Sequence, residues 1–146
     1  MLYLSEEIAK EIRGHGARDY PHETCGAMLG LDSEADREIL ALFPLTNRRD
    51  DSPRNRFAIT SDDVRAAERA AKEGRMELLG WYHSHPDHPA RPSEFDREHA
   101  WPWYSYIIVS VAAGQPGDMT SWRLVDDRTH YLPEEISIRV SAPPAP

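Results

Sequence analysis

The spacing of apolar residues changes along the chain, and each change predicts an element. In "SEEIAKEIRGHGARDYP", Ile8, Ala9 and Ile12 recur at helical intervals behind a serine and two acids. This predicts a helix of about three turns that ends near Gly14 or Gly16. "ETCGAMLGL", Glu23 to Leu31, is short and apolar and predicts a buried strand. "DSEADR" reads as a turn, and "EILALFPL" as a second strand paired with the first in a hairpin. "TNRRDDSPRNR", Thr46 to Arg56, is a polar loop, followed by a brief strand in "FAIT".

"SDDVRAAERAAKEG" carries the clearest helical pattern, with Ser61 placed to cap it, Asp62 and Asp63 at its positive end and Gly74 as its stop. "MELLGWYHSH" is apolar enough to be a central strand, and "SEFDREHA" makes a short helix. "SYIIVSVAA" and "MTSWRLVDD" predict two strands around the turn "GQPGD". "EISIRV" is a last strand, and residues 141–146, "SAPPAP", form a disordered tail. Helices alternate with strands, and hairpins are mixed in. We therefore expect a three-layer α/β fold with a mixed central sheet flanked by helices, in one domain over residues 1–140.

Composition narrows the function classes. At 146 residues the chain has room for one real core. Its 17 basic and 25 acidic side chains give a net charge of −8, which argues against a nucleic-acid partner. No stretch approaches the roughly 18 apolar residues needed to span a membrane, so no membrane partner is expected. The N-terminus lacks the basic start and apolar run of a signal peptide. Cys25 is the only cysteine, which rules out an internal disulfide and favours a cytoplasmic setting.

The chemistry concentrates between Gly80 and Ala100, in "GWYHSHPDHPARPSEFDREHA". Residues two apart on a strand face one side, about 6.6 Å apart. His83 and His85 can therefore clamp one ion from the end of their strand. A catalytic zinc usually takes three protein ligands and leaves a fourth position open. Asp96 is the best third candidate, because the proline-stiffened loop before Ser93 can turn its helix back over the strand end. Glu23 opens an otherwise apolar strand, where a carboxylate is costly unless used. It is our candidate for the base.

Glu23, His83-Ser84-His85-Pro86 and Ser93-Glu94-Phe95-Asp96 together fit the pattern E…H-[S/T]-H-x7-S-x-x-D. In this the chain resembles the JAMM (MPN-plus) zinc metalloproteases, over roughly Leu4 to Val140. The resemblance implies one zinc ion held by His83, His85 and Asp96, with Glu23 as general acid/base. It also implies that Ser93 hydrogen-bonds the oxyanion. The family cleaves amide bonds after the diglycine tail of ubiquitin or a ubiquitin-like protein. This chain lacks the long insertions of eukaryotic members and looks like the short prokaryotic type. The implied substrate is therefore a ubiquitin-like, sulfur-carrier protein with a Gly-Gly tail. The oligomeric state is left open, a homodimer included. The competing readings are a non-catalytic binding scaffold of the same fold and a zinc hydrolase of small molecules. Nucleoside deaminases, whose fold is broadly similar, exemplify the latter, but they expect a P-C-x-x-C ligand pair that one cysteine cannot supply.

Plainer roles compete at several positions. S-x-x-D is also a helix-capping pattern, and we expect Asp96 not to serve fully as both capping partner and ligand. His22, His88 and His99 are expected at the surface or around the site rather than as ligands. Cys25 shares a strand face with Glu23 and is expected to pack as a small hydrophobe. Trp101, Trp103, Tyr104 and Tyr106 are expected in the core, with a place for one of them along the cleft beside an extended peptide as the alternative. Arg48, Arg49, Arg54 and Arg56 are expected to be solvated, or one of them to grip the acidic surface or tail carboxylate of a partner.

Overall fold

In the computed structural model, which describes residues 1–45 and 59–140, the first helical pattern forms α1 (Glu6–Asp19). Ser5 caps it, its side chain accepting the Ile8 amide at 3.1 Å. The helix runs past both glycines at which it was expected to end. Gly16 is buried, and a Cβ there would meet Val111 at 3.1 Å and Ser84 at 3.4 Å. Its role is close approach of helix to sheet rather than termination.

The strands are β1 (Leu2–Ser5), β2 (Cys25–Ser33), β3 (Asp36–Leu45), β4 (Glu77–Pro86), β5 (Ser105–Ala112), β6 (Gln115–Leu124), β7 (Tyr131–Glu134) and β8 (Ile136–Arg139). They form one mixed sheet in the order β7-β6-β5-β4-β2-β3-β1-β8. As expected, β2 and β3 are an antiparallel hairpin, and β4 lies centrally, antiparallel to β2 and parallel to β5. The strands β7 and β8 end the order on opposite sides, yet only Glu135 separates them. One intervening residue spans about 7 Å at most, so the sheet curls until its two ends meet. Its inner face wraps α1, which packs Ile8, Ala9 and Ile12 against Leu2, Leu4, Met28 and Tyr82. On the other face lies α2 (Ser61–Glu73), with Ala67 and Ala71 against Cys25, Ala27 and Leu29.

A bulge decides which way the histidines point. The β2–β4 register shifts between Met28 and Leu29, leaving Leu79 as the extra residue on β4. Leu79 and Tyr82 therefore lie in the α1-side core, and Leu78 and Trp81 in the α2-side core. From Trp81 onward the odd-numbered side chains of β4 face α2. Gly80 sits at this point because a Cβ would fall 1.9 Å from the Ser105 carbonyl oxygen on β5.

Several expectations shift in detail. The α2 cap is Thr60 rather than Ser61, and with Asp63 it forms a reciprocal capping box. Ile59 and Thr60 are not strand, because Thr60 is spent on that cap. The rest of "FAIT", the loop Thr46–Arg56 with Arg48, Arg49, Arg54 and Arg56, and the tail 141–146 lie outside the described residues. The turn between β5 and β6 is Ala113-Gly114, with φ of 50° and 82°. Two left-handed residues close a two-residue hairpin, so most of "GQPGD" is already strand. Tyr106 is buried as expected, but Trp101 and Trp103 are 42% and 44% exposed. Trp103 is held at φ 83° with its ring over the buried Arg37 guanidinium, 4.1 Å from the ring centre. Such a contact between cation and aromatic face holds an indole at the surface.

Candidate metal centre

The central strand β4 carries His83 and His85 to its buried C-terminal end on the α2 side of the sheet. Antiparallel pairing sets Cys25 opposite His83. Beyond that pair, Thr24 accepts the Ser84 amide at 3.1 Å, and Ser84 Oγ accepts the Thr24 amide at 2.9 Å. This clamp extends the register by one residue past the strand. Glu23 therefore comes beside His85 on the same face, and it is buried. The serine between the two histidines thus holds the segment that bears the candidate base.

Asp96 arrives on α3 (Glu94–Glu98), which Ser93 caps. The loop before it is pinned through consecutive carbonyls. Ser110 Oγ donates to His88 at 2.7 Å, His85 Nδ1 to Pro89 at 2.9 Å, and Thr120 Oγ1 to Ala90 at 2.7 Å. Asp87 accepts the Tyr20 hydroxyl at 2.6 Å and the Ala113 amide at 2.8 Å. With Pro86, Pro89 and Pro92 in the same stretch, little freedom is left to lose when ligands are held together.

Three donor atoms converge. His83 Nε2 and His85 Nε2 lie 3.1 Å apart, and Asp96 Oδ2 is 3.1 Å from His85 Nε2 and 3.4 Å from His83 Nε2. A tetrahedral ion about 2.0–2.1 Å from each donor would separate them by roughly 3.3–3.4 Å. The triangle therefore fits a small divalent cation. Its chemistry fits as well. With Nδ1–H of His85 donated to Pro89, the Nε2 lone pair is free to ligate, an arrangement typical of metal-bound imidazole. Burial pushes the Asp96 carboxyl up, but when protons rather than a metal occupy the two Nε2 atoms, the neighbouring His83 and hydrogen bonds from both imidazoles and the Ser93 amide outweigh it. They hold Asp96 well below the usual carboxylate range. Among the described residues the group has three donors, two imidazoles and one carboxylate, the number a catalytic zinc site takes from protein where a structural site takes four.

The capping expectation needs correction. Asp96 Oδ2 accepts the Ser93 amide at 2.8 Å while it faces both imidazoles, and Ser93 Oγ accepts the Asp96 amide at 3.1 Å. One oxygen serves the cap and the donor triangle together, because it offers more than one lone pair.

A cleft of about 430 Å³ opens beside the triangle, lined by Glu23, His85, Ser93 and Asp96, with His88, Arg91 and Phe95 on its walls. His22 is exposed. His99 stacks on Phe95 at 4.1 Å and donates through Nδ1 to the Phe95 carbonyl at 2.8 Å. Cys25 packs in the α2-side core, where burial first, then the charge of Glu23, pushes its thiol well above the ordinary range. Sequence reasoning overlooked the Pro89 carbonyl and the Ser84–Thr24 clamp. A backbone acceptor leaves no mark in the sequence, and Ser84 stands out only by lying between two ligand candidates.

A family model described as prokaryotic homologs of the JAB domain matches residues 5–125. Desampylase of Haloferax volcanii is 35% identical over 87% of this chain and 87% of its own. A probable TtuB-protein conjugate cleaving protease of Thermus thermophilus is 32% identical over 76% and 71%. The CysO-cysteine peptidase of Mycobacterium tuberculosis is 28% identical over 86% and 84%. Among solved structures, a protein of Desulfitobacterium hafniense superposes with a TM-score of 0.84, at 28% identity, over 97% of this chain and 94% of that one. A JAB1/MPN domain protein of Archaeoglobus fulgidus gives 0.59 over 95% and 97%, and at 18% identity it speaks for the fold alone.

Proposed function

Because the chain belongs to the prokaryotic homologs of the JAB domain, we propose that it is a zinc-dependent peptidase of ubiquitin-like carrier proteins. It hydrolyses the amide bond that follows the carrier's Gly-Gly terminus. The observation that carries this reading is the donor triangle of His83, His85 and Asp96 on the same cleft as the buried carboxylate of Glu23. The relatives named desampylase, TtuB-protein conjugate cleaving protease and CysO-cysteine peptidase support a carrier conjugate as the substrate. The same reading takes residues 1–140 as a single domain. It sets the enzyme in the cytoplasm, in keeping with its one cysteine.

When bound, zinc supplies a Lewis acid that lowers the pKa of water and polarises a carbonyl. The side chains do the rest. His83, His85 and Asp96 hold the ion, with His85 oriented by Pro89. Glu23 takes the proton of the attacking water and delivers it to the departing amine. Its position beside His85 follows from the Ser84–Thr24 clamp. Ser93 Oγ accepts the Asp96 amide, so its own hydroxyl hydrogen remains to donate to the carbonyl oxygen as charge develops there. Pro89, Pro92 and Phe95 give the cleft apolar walls.

The test is the mass of a carrier extended past Gly-Gly after incubation with zinc-loaded protein. Wild type should return the carrier ending in Gly-Gly. Glu23→Gln should keep one equivalent of zinc and lose about 10²–10⁴-fold in rate. Asp96→Ala should lose zinc and activity together. Full activity in zinc-loaded Glu23→Gln would reject the mechanism.

A further inference from the structure

The catalytic side of the cleft carries the carboxylates of Glu23 and Asp96, and the whole chain carries a net charge of −8. Among the described residues, Arg91 is the one arginine on the cleft wall. The next basic side chain along, Arg97, is taken up by Glu94 at 2.7 Å and the Arg128 carbonyl at 3.0 Å. Arg91 is exposed and forms no ion pair among the described residues. Its backbone is nonetheless fixed. The Arg91 amide donates to the Pro89 carbonyl at 2.8 Å, the same oxygen that accepts His85 Nδ1–H at 2.9 Å. Pro92 follows directly and confines Arg91 to extended backbone. One carbonyl therefore ties the origin of this guanidinium to a ligand of the metal centre. A cation with no ion-pair partner among the described residues, anchored to the site and opening on its cleft, suits an anionic group of the substrate.

We propose that Arg91 is a specificity-determining residue that pairs with the C-terminal carboxylate of a short leaving group, so that the enzyme trims single amino acids from a carrier tail. This rests on the peptidase reading above and names what lies beyond the cut bond. A guanidinium matches a carboxylate in a two-point fork, which no neutral or lysine-linked leaving group supplies at that place. An acidic side chain on the carrier body could offer the same chemistry, and the substrate pair below separates the two sources.

The experiment uses a carrier that ends in Gly-Gly followed by one alanine, prepared as free acid and as carboxamide. For zinc-loaded wild type, kcat/KM should favour the acid by about tenfold or more, the scale of a charged hydrogen-bonded pair. Arg91→Gln should bring the acid-to-amide ratio close to one, mainly through KM for the acid, and Arg91→Lys should keep part of the preference. Equal cleavage of both forms by wild type overturns the proposal. So does an unchanged ratio in Arg91→Gln, or an equal loss on both forms, which would assign the arginine to the carrier body. If wild type cleaves neither form nor any other Gly-Gly extension, the peptidase reading itself fails.

Discussion

Asp96 Oδ2 meets three groups at once, the Ser93 amide and the two imidazoles of His83 and His85. Ser93 Oγ caps α3 by accepting the Asp96 amide, and the cap makes no use of its hydroxyl hydrogen. Substitution should separate these duties. Ser93→Ala should lose the cap, about 1 kcal/mol of stability, and about 10²–10³-fold in kcat with KM little changed, the usual cost of one oxyanion donor. Thermal melts and steady-state kinetics read the two effects separately. A loss of stability alone would make Ser93 a cap and nothing more. At this scale the sequence was legible wherever chemistry sits in side chains at fixed spacing. His-x-His on a strand and S-x-x-D on a helix start each imply a direction, and Glu23 stood out as a charge among apolar residues. Pro89 could not be read, because its part is played by a backbone carbonyl.

Among the elements, β2 and β4 do the positioning. The bulge at Leu79 turns the odd-numbered side chains of β4 toward α2, and the Ser84–Thr24 bonds carry the pairing outward to Glu23. Replacing Ser84 by alanine leaves the Thr24 amide buried without its acceptor, a cost of about 1–3 kcal/mol. We expect Ser84→Ala to keep its zinc, melt at lower temperature and lose kcat because Glu23 is no longer held in place. Unchanged kcat in a destabilised variant would show that the clamp serves folding only. The strong periodicities of α1, α2, β4 and β5 were readable. Elements set by tertiary contact were not. The four-residue β1 is too short to show a period and exists because Leu2 and Leu4 fill the core beneath α1. Strand β7 pairs only with β6 and is half solvent-facing. The two glycines of α1 suggested an end that close packing against β5 overrides.

For the whole molecule, the curled sheet encloses α1 and leaves the candidate metal centre on the opposite face, at the end of its central strand. That division keeps the apolar core around α1 away from the polar site, and the mixed sheet follows from the alternation of elements along the chain. The curl itself could not be foreseen, since it depends on β7 and β8 closing from opposite edges across Glu135. The proposed activity requires one ion held by two imidazoles and a carboxylate. X-ray absorption at the zinc edge of the loaded protein tests this most directly. We expect one zinc per chain with nitrogen and oxygen neighbours at about 2.0–2.1 Å, including the scattering signature of two imidazoles, and no ordered site in Asp96→Ala. A sulfur neighbour at about 2.3 Å, which only Cys25 or a methionine could supply, or an identical spectrum in Asp96→Ala, would contradict it.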